Sequence, residues 1–293
     1  MVRRTRRRWT GVMTHSPITI LGGAGKTGRR IAAQLDTRGV EYHLASRSSE
    51  RRFDWYDEST WRAAVRGSDT AYVAPPVDPA GCDAAARFVK QATADGLRRV
   101  VLLSGRGVGG PDRDFAAYDG QLAVENAVRD SGVDATIVQP AWFMQNFSED
   151  FLADYVLAGR LRLPAGTGAE PWIDTDDVGD VVTEALLDER HSGQTYALSG
   201  PRLLTMADIA AELSAATGSV VEYVALDPDE HVAELVEFGV PRADAEALRD
   251  LFTVIRTHRS EYLSDGVQQV LGREPRSFAD WARRAVAGGA WSR

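Results

Sequence analysis

Short apolar runs alternate with longer amphipathic stretches through the first half of the chain. This rhythm is typical of strand–helix–strand units that build a parallel sheet. The predicted strands are Ile18–Leu21, Tyr42–Ser46, Thr70–Ala74, Arg99–Leu103 and Thr136–Gln139. The predicted helices are Lys26–Thr37, Thr60–Ala64, Ala80–Ala94 and Ala117–Ser131. Glycines follow or lie near the helix ends, where a left-handed cap favours this residue.

Beyond Pro140 the alternation loosens into mixed helices and short strands separated by turns rich in glycine and proline. We expect a strand around Trp172–Asp174 and a helix that begins near Thr175 or Asp176, because acidic residues suit a helix amino terminus. "TYALSGP" indicates another short strand, and the pattern from Thr205 onward is mostly helical. The second half therefore predicts a smaller lobe that closes over a site on the sheet.

The segment "ITILGGAGKTGRRIAAQL", residues 18–35, carries two competing phosphate-binding patterns. A nucleotide-hydrolase loop that ends in Gly25-Lys26-Thr27 needs a glycine five positions before Gly25, where Ile20 stands inside a strand. Gly22, Gly25 and Gly28 instead lie between a strand and a helix, where they allow a tight turn and close approach to a pyrophosphate. We predict dinucleotide binding, with Lys26 and Thr27 as candidate phosphate contacts.

The end of the second predicted strand bears on which nicotinamide cofactor is used. Ser46 and Arg47 lie about 20 residues beyond the glycines, where an acid would bind the ribose of NAD and an arginine would accept the 2′-phosphate of NADP. Because guanidinium matches phosphate geometry, Arg47 favours NADP(H). The alternative is that Arg47, Arg51 and Arg52 are solvated surface charges.

Net charge and composition exclude several classes of function. The formal net charge is −8 and the sequence pI is about 5.2, so neither a nucleic-acid nor an anionic-membrane partner is expected. Cys82 is the single cysteine, which fits a reducing, cytoplasmic location. The five histidines are scattered without ligand spacing, so no metal site is predicted. No apolar run approaches the length of about 18 residues that a spanning helix needs.

The first residues form a basic cluster, with five arginines between Arg3 and Arg8 ahead of Trp9. No apolar segment follows, so neither a signal peptide nor a paired-arginine export signal is predicted. Met13, just before the first predicted strand, is an alternative translation start. We expect residues 1–15 to be a disordered basic leader.

Several motifs in this order resemble the NmrA-like family of the atypical short-chain dehydrogenase/reductase superfamily, near its azoreductase-like and ergot-alkaloid iminium-reductase-like branch. They are "GGAGKTG", "SRSSERRFDW", "LLSGRGVG", "IVQPAWFMQNFSE", "LSGPRLLTMADIA" and "GREPRSFADWA". The resemblance implies a doubly wound α/β Rossmann sheet with a smaller C-terminal α/β substrate lobe. Residues 16–150 would form the NAD(P)-binding domain and 151–293 the substrate lobe, with some strands returning to the main sheet.

The resemblance also assigns residues to the cofactor and substrate. Phe53 and Asp54 would lie near the adenine, and Ala74 and Pro75 along the cofactor, with Ser104 at the next strand end. The residues expected beside the nicotinamide are Pro140, Ala141, Trp142 and Phe143. The candidate substrate-binding residues are Trp142, Phe143, Met144 and Phe147, which are alternatively ordinary core residues.

Many reductases of the superfamily use a Tyr-x-x-x-Lys pair, in which the lysine lowers the pKa of the tyrosine. Alignment on Glu125 puts Ala117 and Gln121 at those positions, so the pair is absent. Tyr118 is displaced by one residue, about 100° around a helix. The candidate catalytic residues are Ser104 and Tyr118, with Asp112 and Asp114 as further proton-transfer candidates.

These features predict a NAD(P)H-dependent reductase of a small electrophile, namely a quinone, an imine or iminium, or a polyketide- or alkaloid-like intermediate. The missing pair favours such acceptors, because hydride transfer to them generates a neutral amine or a stabilised anion. Two alternatives stay open: an NADP-binding redox sensor without catalysis, and an isomerase or epimerase that uses bound nicotinamide. A monomer or homodimer is expected.

Overall fold

The computed structural model describes residues 16–110 and 118–292. Its strands are β1 (Ile18–Leu21), β2 (Tyr42–Ser46), β3 (Arg51–Arg52), β4 (Thr70–Val73), β5 (Arg99–Leu103), β6 (Asp134–Pro140), β7 (Arg160–Leu163), β8 (Ala169–Glu170), β9 (Thr195–Leu198), β10 (Leu204–Thr205) and β11 (Glu222–Ala225). Its helices are α1 (Lys26–Arg38), α2 (Trp61–Ala64), α3 (Pro79–Ala94), α4 (Asp119–Asp130), α5 (Asn146–Glu149), α6 (Ala153–Leu157), α7 (Thr175–Leu187), α8 (Met206–Thr217), α9 (Pro228–Glu237), α10 (Arg242–Arg256), α11 (Gly266–Leu271) and α12 (Phe278–Ala287).

Within the described residues, seven strands form one parallel sheet in the order β3-β2-β1-β4-β5-β6-β9. The chain runs from β1 outward to β3 and then returns to β4 on the other side of β1. Strand order therefore reverses between β1 and β4, which is where open α/β sheets bind ligands. This topology confirms the predicted doubly wound α/β fold.

Helices cover both faces of the sheet. On one face, α3 and α4 pack on the strands through Phe88 and Val124, and on the other α1 and α7 do so through Ile31 and Val181. The central strands β1, β4 and β5 are mostly apolar because both of their faces are buried.

The second half of the chain forms its own apolar cluster and also contributes to the main sheet. Trp172, Phe252 and Phe278 are almost fully buried in this cluster. Two small sheets, β8–β10 and β7–β11, belong to the same part of the chain. Strand β9 pairs with β6 in the main sheet, and α7 packs against α1.

The prediction of a strand around Trp172–Asp174 is wrong. The strand lies earlier, at Ala169–Glu170, and Ile173 alone makes an isolated bridge to Phe143. Pro171 lacks the backbone N–H that would continue the ladder. Asp174 instead caps α7, because its carboxylate accepts the backbone N–H of Asp176 at 2.9 Å. The helix begins at Thr175, as predicted.

No helix among residues 16–110 and 118–292 is both long and apolar enough to span a membrane. The predicted leader, residues 1–15, lies outside the described residues, as do Asp112 and Asp114.

Candidate functional site

The carboxyl ends of the parallel strands bring the predicted cofactor-binding segments to one edge of the sheet. Gly22 follows β1, Ser46 ends β2, Ala74 follows β4 and Ser104 follows β5, while β6 ends at Pro140. A Cβ built on Gly22 would lie 3.9 Å from the Ala74 Cβ, so these strand ends are in direct proximity. Residues far apart in the sequence thus line a single crevice.

The glycine turn leaves an anion-binding surface at the amino end of α1. Gly22 has a φ of +75°, which favours glycine. A Cβ on Gly28 would lie 2.6 Å from the Gly22 carbonyl oxygen, so the helix packs too closely on the turn for any side chain. The backbone N–H groups of Lys26, Thr27 and Gly28 lie in the first turn of α1 and therefore have no carbonyl acceptor within the helix, whose first bond runs from Arg29 to Gly25. A diphosphate fits these donors and the positive end of the helix dipole.

The side chains of Lys26 and Thr27 point in different directions. The Thr27 hydroxyl lies 2.7 Å from the Tyr72 hydroxyl inside the protein, so this side chain is directed away from a ligand at the end of α1. The Lys26 ammonium donates to Asn146 Oδ1 at 2.9 Å, forms an ion pair with Asp150 and lies 6.0 Å from the Phe143 ring centroid. Lys26 therefore connects α1 to the segment that follows β6.

Arg47 differs from the two arginines that follow it. Arg51 donates to the carbonyl oxygens of Ala64 and Arg66, and Arg52 lies 4.0 Å from Asp57. Arg47 is exposed and forms no ion pair with any described residue. Its guanidinium is therefore available for a ligand at the end of β2.

The aromatic residue predicted beside the adenine faces the core instead. The Phe53 side chain is 3% exposed and packs edge-on against Trp55 and Phe88, so its ring cannot contact a ligand. Sequence reasoning missed Tyr56, which is exposed and donates a 2.6 Å hydrogen bond to Asp78. This bond raises the pKa of Tyr56 to about 12. Asp54, the other residue predicted near the adenine, is half-buried.

The hydroxyl of Ser104 is held by a buried carboxylate. It donates to Glu125 Oε1 at 2.5 Å, and the same oxygen accepts from Gln139 at 2.8 Å. Arg129 donates to the other carboxylate oxygen at 2.8 Å. Because a hydroxyl has one hydrogen to donate, Ser104 in this arrangement can accept from a ligand but does not offer it a proton.

Tyr118 stands at the amino end of α4, close to the β5 end. Its ring lies 3.7 Å from where a Cβ on Gly107 would be. Burial, and then the nearby Glu170 carboxylate, raise the pKa of Tyr118 to about 12. This shift is opposite to the one that a Tyr-x-x-x-Lys pair produces, so Tyr118 is a hydrogen-bond donor and a weak acid at neutral pH.

The segment after β6 divides into ligand-accessible and core residues. Trp142 is half-buried and packs edge-on against Trp172 and at a tilt against Phe252, at centroid distances of 5.5 and 5.1 Å. Phe143 is also half-buried. Met144 and Phe147 are fully buried in the second apolar cluster. The structure thus corrects their predicted substrate-binding role, because neither presents surface to a ligand. Pro140 and Ala141 are buried strand-end residues that contribute backbone.

Sequence reasoning also missed a buried ion pair between Arg106 and Glu170, beneath the ends of β5 and β6. Arg106 lies in the "LLSGRGVG" motif, and its guanidinium also donates to the carbonyl oxygens of Ser260 and Tyr262. An arginine three residues after a buried strand was the available signal. Its partner is 64 residues away in the sequence.

The described geometry agrees with the comparisons to known proteins. A model of the NmrA-like family matches residues 14–282, so the chain belongs to this family and the predicted resemblance is confirmed. A NAD(P)H azoreductase of Xenophilus azovorans is 30% identical over 288 residues, covering 92% of this chain and 98% of that protein. An agroclavine dehydrogenase of Claviceps fusiformis is 32% identical over 284 residues, covering 90% and 95%.

The fold itself matches solved structures. A crystal structure of an NADPH-dependent quinone oxidoreductase from Escherichia coli, complexed with NADPH, superimposes with a TM-score of 0.78. Sequence identity is 19%, and the match covers 92% of this chain and 99% of that chain. At this identity the likeness establishes the fold.

Proposed function

We propose that the crevice binds NADP(H). The observation that carries this proposal is the pairing of the unblocked amino end of α1 with the free guanidinium of Arg47 at the end of the neighbouring strand. The three amides after Gly25 would hold the diphosphate, and Arg47 the 2′-phosphate. Close packing at Gly28 and the absence of an acidic residue from the first turn of α1 support the fit. The name of the NAD(P)H azoreductase relative supports a nicotinamide cofactor as well.

We infer that the protein is an oxidoreductase that reduces a small electrophile. The nicotinamide supplies a hydride when it is bound. Trp142 and Phe143 would orient the acceptor, and the second lobe would exclude water. The names of the azoreductase and dehydrogenase relatives support this reaction class.

The arrangement of potential proton donors favours acceptors that need no proton in the hydride-transfer step. Ser104 donates its hydrogen to Glu125, and Tyr118 is a weak acid with a pKa of about 12. An alkoxide formed from an unactivated ketone would have to take its proton from this weak acid, whose pKa lies far from the neutral range that suits general acid catalysis. A quinone, an imine or iminium, or a related polyketide- or alkaloid-like intermediate therefore fits better. A small-molecule substrate, a cytoplasmic location and a monomeric or dimeric state remain predictions.

The proposal is tested in two stages. Calorimetric titration with NADPH and NADH measures binding, and NADPH absorbance then follows turnover with a panel of quinones, azo dyes and cyclic imines. We expect tighter binding of NADPH than NADH and turnover of at least one class of acceptor. Absence of binding to either cofactor would refute the proposed site. Tight binding without turnover would favour the sensor alternative, and product formation without NADPH consumption would favour the isomerase.

A further inference from the structure

The first turns of α1 are tied to the segment that follows β6 by a set of ion pairs. Lys26 pairs with Asp150, and Arg29 and Arg30 both pair with Glu149. Arg30 also pairs with Asp176 on α7. Glu149 and Asp150 thus pair with basic side chains beside the helix end at which a diphosphate would bind.

Lys26 is the member of this set nearest to the glycine turn. It is the first residue of α1, and its ammonium is held between Asn146, which is buried, and Asp150, whose side chain is 45% exposed. The chain contains two lysines, Lys26 and Lys90, and its other basic residues are arginines. A flexible ammonium with three donors can change partners at low cost, unlike the planar fork of arginine.

Asp150 is held weakly enough to be displaced. An ion pair between partly exposed groups contributes at most about 1 kcal/mol. A diphosphate carries more negative charge than one carboxylate, and it would also receive the amides at the end of α1. The diphosphate should therefore displace the Asp150 carboxylate from the Lys26 ammonium.

We propose that Asp150 helps to determine the affinity for the cofactor. Its carboxylate pairs with the Lys26 ammonium until a dinucleotide diphosphate takes its place. This inference rests on the proposed cofactor site. Each binding event must break the Lys26–Asp150 pair, so the carboxylate lowers cofactor affinity. Release of Asp150 would also loosen residues 146–150, which begin three residues after Phe143, a predicted nicotinamide contact.

The proposal is tested by whether one substitution, Asp150→Asn, strengthens or weakens NADPH binding. Asp150→Asn keeps the oxygen that accepts the Phe151 backbone N–H and removes the charge, so the fold should be preserved. We expect NADPH to bind about three- to fivefold more tightly to this variant, the gain that corresponds to removal of a competing ion pair worth up to about 1 kcal/mol. Asp154→Asn removes an exposed charge from the same region and is the matched control, with an expected change below about twofold.

A double-mutant cycle assigns the effect to Lys26. Lys26→Met should weaken NADPH binding, and Asp150→Asn should have no further effect in that background. An equal gain from Asp150→Asn and Asp154→Asn would overturn the proposal in favour of general electrostatics. Weaker binding by Asp150→Asn would overturn it too, because Asp150 would then hold Lys26 in place for the diphosphate.

A second readout does not depend on affinity. Reductive methylation with a carbon-13 label marks the ammonium groups of Lys26 and Lys90, and Lys90 is an exposed internal control. Addition of NADP should shift the Lys26 resonance and leave that of Lys90 unchanged. Asp150→Asn should move the free-state Lys26 resonance as well. Binding in which the Lys26 resonance stays fixed would refute the exchange, whereas no binding by the unsubstituted protein would refute the proposed function itself.

Discussion

Arg106 Nη2 lies 3.0 Å from Glu170 Oε1, and both side chains are almost completely buried, at 3% and 2% exposure. The Tyr262 ring covers the guanidinium at 4.1 Å. Burial raises the pKa of the Glu170 carboxyl, while Arg106 opposes this shift. The pair joins the loop after β5 to β8 and to the loop before α11, so it holds together three segments that are distant in the sequence.

Removal of one partner from this pair should be costly. Glu170→Gln leaves the Arg106 charge buried without a counter-ion, and we expect the free energy of unfolding to fall by about 3 to 5 kcal/mol. Urea denaturation measures the change. Glu58→Gln in the exposed Arg87–Glu58 pair is the control, with an expected cost below about 1 kcal/mol. Similar costs at the two sites would contradict the importance assigned to burial.

Gly28→Ala should damage both the turn and cofactor binding. The new Cβ would meet the Gly22 carbonyl oxygen at 2.6 Å and the Gly23 Cα at 2.7 Å, so the turn must move away from α1. We expect a lower melting temperature and a loss of NADPH affinity of at least about tenfold. Gly39→Ala is the control, because its φ of +66° creates strain in open space, far from the turn. That variant should lose about 1 kcal/mol of stability and bind NADPH normally.

Arg47→Ala should reduce the preference for NADPH over NADH. Loss of a charged hydrogen-bonding partner for the 2′-phosphate should weaken NADPH binding by about 10- to 100-fold and leave NADH binding unchanged. Calorimetric titration with both cofactors measures the ratio. Arg52→Ala removes a neighbouring exposed guanidinium and should change neither affinity. An equal loss for both cofactors would contradict recognition of the 2′-phosphate.

His231 predicts a pH dependence of stability. It is 1% exposed, and neither ring nitrogen has a hydrogen-bond partner among the described residues. Burial lowers the pKa of His231, so the folded state binds fewer protons than the unfolded state, whose imidazole titrates near about 6.5. Stability is therefore complete above this value and is lost as the pH falls below it.

His231→Leu should remove the part of the pH dependence of stability that arises from His231. We expect the variant to be at least as stable as the unsubstituted protein at pH values near 7.5, because two unsatisfied polar atoms are removed. Its stability advantage should grow as the pH is lowered toward 5.5. Chemical denaturation across this range gives both curves. Parallel curves would show that His231 does not titrate differently on folding.

The cofactor half of the candidate site was largely predictable from sequence. The turn at Gly22 and the start of α1 depend on contacts within about ten residues, and backbone conformation at glycine is a local property. The five strands predicted in the first half of the chain, which correspond to β1, β2, β4, β5 and β6, lie within two residues of their predicted ends, because a buried parallel strand has a continuous apolar run. Arg47 was located by its distance along the chain from the glycines.

Side-chain direction at the site was less predictable. Phe53 and Phe147 are aromatic, a residue type that is common in ligand pockets. Both rings instead lie in the core, where Phe53 packs against Phe88 and Phe147 packs against Trp172. Ser104 was predicted as a catalytic residue, and only the position of Glu125 on α4 shows where its hydrogen is directed. These outcomes depend on which helix covers which face of the sheet.

The sequence by itself therefore determined the doubly wound fold, the glycine turn and the basic residue at the end of β2, because each follows from local backbone preference and hydrophobic period. Only the tertiary structure decided the partners of charged and polar groups. Arg106 with Glu170 and Lys26 with Asp150 are separated by 64 and 124 residues. Such pairs form when chain folding brings their elements together, and no local pattern encodes the partner.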